Sequence, residues 1–163
     1  MRMMESAVPV IEAEQTVEAI YRSDADRLWH AVYAFAADPE IASDAVAEAY
    51  AQVLRRGAAV RNPQAWTWRA AFRIASGALK AGRMASQVST PTTDHVDRYA
   101  DPDLLDALRR LPESQRAAVV LFYYADLPIS QIAQRLGSNG LAVRANLSRG
   151  RRRLRQLLGD DDA

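Results

Sequence analysis

The chain has 163 residues, 49% of them hydrophobic, with 21 basic against 20 acidic side chains and no cysteine. That length allows one domain or two small ones, with enough apolar residues to pack a core in each. Lack of cysteine excludes disulfides, thiol catalysis and most structural zinc sites, and no apolar run approaches the ~18–20 residues of a membrane span.

The N-terminal segment MRMMESAVPVIEAEQ has no charged-then-apolar signal layout, so the chain is expected to stay cytoplasmic. No segment alternates with period two for long enough to make a strand, and an all-α fold is expected. A first helix is predicted over about 12–37, with Ser23-Asp24 as a point where it can break. Leu28, Trp29, Val32, Tyr33 and Phe35 supply its core. Asp38-Pro39 reads as a cap followed by a first-turn proline and opens a second helix, about 39–56, ending at Gly57. Along it Glu40, Asp44, Glu48 and Gln52 run at steps of four, with Arg55 and Arg56 at the end. Acids early and bases late follow the helix dipole, yet the stripe is also a ready surface for a basic partner protein, and both readings stand.

Asn62-Pro63 repeats the cap-then-proline signal for a third helix, about 63–84. Trp66, Ala70 and Ile74 lie on one side of it; Trp68, Phe72, Ala75 and Leu79 lie on another, and the tryptophans read as core. Between these sides Arg69, Arg73, Ser76 and Lys80 form a basic stripe, either solvated or kept exposed for a ligand. Arg61 and Asn62 add charge and hydrogen-bonding groups at the start of the helix. Residues 85–101, rich in Ser, Thr and Asp, read as a flexible linker with little to bury. Fully extended it spans at most about 56–61 Å, enough for two modules to touch one duplex at separated places. His30 and His95 are isolated, with no partner at metal-ligand spacing.

A second block begins near Pro102, with helices predicted near 103–110, 112–125, 128–136 and 139–158. Pro128 can serve as a first helical residue, and Ile129, Ile132, Ala133 and Leu136 make one apolar face. Gly137 suits the left-handed residue that ends a helix, and Asn139 can cap the next. A short helix, a three-residue turn with glycine and a longer basic helix are the grammar of a helix-turn-helix, whose second helix enters the DNA major groove. Residues 139–157 hold six arginines and no acid. Val143, Leu147, Gly150, Leu154 and Leu157 or Leu158 keep helical time as a narrow seam, and Arg144, Arg149, Arg151, Arg152, Arg153 and Arg155 cover the rest. Residues 1–84 are net 0, residues 85–101 net −2 and residues 102–163 net +3, so positive potential is focused on this one helix.

The stretch Leu108-Arg-Arg-Leu-Pro-Glu-Ser-Gln-Arg-Ala-Ala-Val-Val-Leu-Phe-Tyr-Tyr124, with Leu127 to Gly137 and Val143 to Arg149, resembles region 4 of extracytoplasmic-function (ECF) sigma factors. Asp44 through Glu48 to Tyr50, and Asn62-Pro-Gln-Ala-Trp-Thr-Trp-Arg69, are similar to region 2. The resemblance implies two small helical domains: residues 1–84, which bind the −10 element and the polymerase, and residues 102–158, which bind the −35 element. The linker joins them, and an acidic tail, 159–163, follows. It implies that Arg61, Asn62, Arg69, Arg73 and Lys80 meet the −10 element. Asn139, Arg144, Ala145, Asn146, Ser148, Arg149, Arg152 and Arg153 would meet the −35 element, with Arg144 to Arg149 reading sequence. Asp44, Glu48 and Gln52 would grip RNA polymerase core enzyme. Promoter DNA and core enzyme are then the partners, an anti-sigma protein is a further one, and no cofactor is implied.

The chain departs from the family at Arg73, usually Asn, at Gly77, often Asp, at Ala47, commonly Gln, and at Asn139-Gly-Leu-Ala142, usually Ser-x-Gly-Thr. Two other readings stay open: a polymerase-independent helix-turn-helix regulator, and a sigma-like decoy that binds an anti-sigma protein. No phosphate-binding glycine loop, metal cluster or nucleophile–base pairing emerges, so an enzyme is not expected.

Overall fold

The computed structural model describes residues 7–85 and 101–159, with side chains from 16 to 82 and from 101 to 159. Among the described residues every regular element is helical. The linker residues 86–100, with His95, and the tail residues 160–163 lie outside this description.

Helices α1 (Ala7–Ala36), α2 (Pro39–Arg56) and α3 (Pro63–Ala85) form the first unit, with a 3-10 turn, Gly57–Ala59, after α2. Both predicted caps are made. The Asp38 carboxylate accepts from the backbone N–H groups of Glu40 (2.9 Å) and Ile41 (3.2 Å), and Asn62 Oδ1 accepts from that of Ala65 (3.1 Å). The break allowed at Ser23-Asp24 does not occur, and α1 runs straight through. Both polar side chains are satisfied without leaving the helix: Ser23 Oγ donates to the Ala19 and Ile20 carbonyls, and the Asp24 carboxylate accepts the indole N–H of Trp68. Leu28, Val32, Tyr33 and Phe35 are buried as expected.

The second unit comprises α4 (Pro102–Arg109), α5 (Glu113–Val119), a π turn (Val120–Tyr124), α6 (Ile129–Leu136) and α7 (Gly140–Leu158). Its first helix opens on a third cap-then-proline pair: Asp101 accepts from the Asp103 N–H at 2.9 Å. The single helix predicted over 112–125 is an α-helix that widens into the π turn, which leaves Tyr123 and Tyr124 exposed while Leu121 and Ala125 stay buried. Pro128 is the cap residue of α6 rather than its first helical residue; its ψ of 156° is extended.

The two units are not held apart. α1 packs on α4 and on the π turn, α3 packs on α6, and the buried apolar residues run as one cluster from Val17 to Leu147.

Candidate nucleic-acid interface

The turn between α6 and α7 follows from three residues. Gly137 takes the left-handed conformation (φ 65°) that a side chain would resist, and the Ser138 N–H returns to the Ala133 carbonyl at 2.8 Å. Asn139 Oδ1 then accepts from the Ala142 N–H at 2.9 Å and opens α7. On α6, Ile132 and Ala133 are buried, and on α7 the seam is Val143, Leu147 and Gly150. Gly150 is in the seam because α5 comes too close for a side chain: a Cβ there would sit 2.7 Å from Val119 Cγ2 and 3.4 Å from the Gln115 carbonyl oxygen.

Docking by this narrow seam leaves Arg144, Ser148, Arg149, Arg151, Arg152, Arg153 and Arg155 exposed, whereas Ala145 and Asn146 are half-buried. Arg149, Arg152 and Arg153 share a surface depression with Arg110 and Gln115 from the neighbouring helices. Arg151 is turned elsewhere and donates to the Tyr123 hydroxyl at 3.0 Å. The concentrated cations therefore meet solvent as two flanks of one helix, suited to the phosphates on either side of a groove.

The basic stripe of α3 borders the second unit: Arg69 and Ser76 are half-buried against it, whereas Arg73 and Lys80 are exposed. Arg69 Nη2 donates to the Gln134 carbonyl of α6 at 2.8 Å. Ser76 Oγ donates to Glu113 Oε2 at 2.5 Å, and Lys80 Nζ lies 4.0 Å from the same oxygen. Arg69 and Arg73 line a cleft of about 620 Å³ together with Arg135 of α6 and Asn146 of α7. Arg61 and Asn62, at the far end of α3, are exposed, and Asn62 spends its carbonyl oxygen on the cap. The structure thus brings Arg69, Arg73 and Asn146 together and leaves Arg61 and Asn62 apart from them.

Two arginines of this junction carried no signal in the sequence. Arg135 is only 6% exposed and stacks over the Trp68 ring at 4.4 Å. Burial pulls its guanidinium below the ordinary arginine value, and the Asp24 carboxylate opposes that. Arg116, equally buried, reaches across to donate to the Phe35 carbonyl (2.9 Å) and lies over the Phe35 ring. Both sit beside apolar residues, and the neighbouring unit supplies the rings they lie over; Arg116 also donates to the Leu111 carbonyl of its own unit at 3.3 Å. Arg27 of α1 likewise donates to the Ala125 carbonyl of the second unit.

On α2, Glu40, Asp44 and Glu48 are exposed and Gln52 is half-buried. Glu48 Oε1 accepts from Gln52 Nε2 (3.1 Å) and Arg55 Nη2 (3.0 Å), which together hold its carboxyl below the usual carboxylate value. The row is therefore partly neutralised at its C-terminal end and open at Glu40 and Asp44. Among the described residues no group of His, Cys, Asp or Glu could hold a metal ion, and no helix is long and apolar enough to cross a membrane.

A short helix, a left-handed glycine turn and an arginine-faced second helix seated by a leucine seam place the second unit in the helix-turn-helix class of DNA-binding proteins. More particularly, residues 102–154 match the family Sigma-70, region 4. RNA polymerase sigma factor SigV of Bacillus subtilis is 26% identical over 138 residues, covering 80% of this chain and 83% of the relative. The ECF RNA polymerase sigma factor SigK of Mycobacterium sp. (strain KMS) is 28% identical over 170 residues, 90% and 86% of the two chains. The fold is shared with the sigma factor RpoE, solved in complex with the anti-sigma factor NepR from Bartonella quintana (TM-score 0.70, 21% identity, 88% of this chain and 97% of that one). The resemblance to ECF sigma factors is borne out.

Proposed function

We propose that this chain is an ECF-type sigma factor that binds RNA polymerase core enzyme and directs it to promoters with separate −10 and −35 elements. The observation that carries the reading is the arginine face of α7, left in solvent by its narrow seam within the segment that matches Sigma-70, region 4. Arg144 and Arg149 read base edges of the −35 element in the major groove. Arg152 and Arg153 position the helix through phosphates. Asn139 sets the start of the helix, and Ala145, Asn146 and Ser148 complete the face beside the bases.

In the first unit Arg61, Asn62, Arg69, Arg73 and Lys80 meet the −10 element, and the row Asp44, Glu48, Gln52 meets a basic surface of core enzyme. The division is 1–84 for the −10 element and polymerase, 85–101 as linker, and 102–158 for the −35 element. The chain performs no chemistry of its own, works in the cytoplasm, and is open to an anti-sigma protein as RpoE is to NepR.

The test mixes the purified chain with core enzyme and genomic promoter fragments and maps transcript starts. Specific starts that require the chain support the reading. Core-independent binding to a palindromic site would replace it with a self-sufficient regulator. Absence of any starts, with binding to a regulatory protein retained, would replace it with a decoy.

A further inference from the structure

Leu141, the second residue of α7, is 79% exposed, more than any other large apolar side chain among the described residues. Tyr123, Tyr124 and Leu158 border a common groove with Leu154, and Tyr21 meets the Tyr50 ring edge-on, whereas Leu141 lies outside the apolar cluster. One exposed leucine is ordinary on a protein surface; its place on this helix is what carries meaning.

α7 is seated by Val143, Leu147 and Gly150. At ~100° per residue, Leu141, Ala145, Ser148 and Arg152 fall on the opposite side, with Arg144 on one flank and Arg149 on the other. The midline of the outward face is therefore uncharged from Leu141 to Ser148, and cations stand on both sides of it. Arg144 does not cover the leucine: it reaches back over Gly140, where a Cβ would stand 3.6 Å from Arg144 Nη1.

In a major groove the N-terminal end of such a helix lies against base edges, and its flanks face the phosphates. The base pairs offer hydrogen-bond donors and acceptors there, and one apolar group, the methyl of thymine. An isobutyl side chain can neither donate nor accept. It gains by contact with that methyl and loses by covering a polar edge that is left unpaired.

We propose that Leu141 is a specificity-determining residue of the −35 contact, its side chain packing on a thymine methyl beside the bases read by Arg144 and Arg149. Ala145, one turn further on, is small enough to let the helix approach. The inference rests on the reading of α7 as the −35 recognition helix and adds to it a requirement on the DNA: thymine at the position that faces the start of α7.

The test uses the whole chain with core enzyme on a promoter whose chain-dependent start has been mapped. Each thymine of its −35 element is replaced in turn by uracil, which removes the methyl and keeps every hydrogen-bonding group. At one position the swap is expected to weaken promoter binding about fourfold, the effect of one buried methyl. Leu141→Ala keeps the fold, read as an unchanged urea midpoint, because the side chain is exposed. It is expected to bind the thymine promoter at least about fourfold more weakly and to be indifferent to the same swap. Undiminished binding by Leu141→Ala, equal sensitivity of both proteins to every swap, no sensitive position, or a −35 element without thymine would each overturn the proposal. Absence of any promoter-directed start would instead remove the sigma-factor reading, and the proposal with it.

Discussion

The chain carries two basic helical faces, and packing claims one of them more than the other. The arginines of α7 stay in solvent because the helix docks through a seam one residue wide, closed by Gly150 against Val119. The stripe on α3 carries the same charge type but lies on a helix whose Trp68 and Phe72 are buried and which serves as a platform for α6. Arg69 is consequently spent on a carbonyl, while Arg73 and Lys80 stay exposed. Equal charge on a helix therefore says little about availability; what matters is how much of the circumference the packing takes.

The hardest test of this contrast is Trp68→Ala. It removes a fully buried ring that supports both the first unit's core and Arg135 of the second, and should cost about 3–5 kcal/mol in chemical denaturation. Trp66→Ala, at a half-buried site under Arg56, should cost markedly less; equal losses would mean that Trp68 has no role at the junction.

On α7, Gly150→Ala forces a methyl against Val119 and should destabilise the second unit by about 1–3 kcal/mol, read as a drop in its urea midpoint. A neutral result would show that the seam is looser than drawn. Arg149→Ala leaves the fold intact because the side chain is exposed, and should weaken −35 duplex binding by about 1–3 kcal/mol without changing affinity for core enzyme. Parallel loss of core binding would break the assigned division between the units.

The smallest effect concerns α2. Glu48 has its carboxyl lowered by Gln52 and Arg55, so its contribution is present above the ordinary carboxylate value and disappears as pH falls through the lower folded value. Glu48→Gln should slightly lower stability near neutrality and make the acid side of the profile shallower, the two proteins converging once Glu48 is protonated at low pH.

Most of the helices were legible in the sequence because their signals are local. Asp38-Pro39, Asn62-Pro63 and Gly137 with Asn139 each set a boundary through atoms a few residues away, and the structure uses all of them. The failures are non-local. Ser23-Asp24 looked like a place to break α1, but Asp24 is retained inside a helix because an indole 44 residues later donates to it. Arg116 and Arg135 gave no sign of burial, since the rings they lie over, and the Phe35 carbonyl that accepts from Arg116, belong to the other unit. In the candidate site, the exposed arginines of α7 followed from the heptad-like seam, whereas the fate of Arg69, Arg73 and Lys80 did not.

By itself the sequence determined the all-helical class, the helix-turn-helix and the cationic face of α7, because periodicity, caps and glycine turns act within a few residues. Only the tertiary structure decided that α3 and α6 meet, that two arginines are buried between the units, and that Arg69 of the α3 face is drawn onto α6. Those outcomes depend on which surfaces find each other across 65 to 81 residues of chain, and neither spacing nor charge along the sequence encodes that pairing locally.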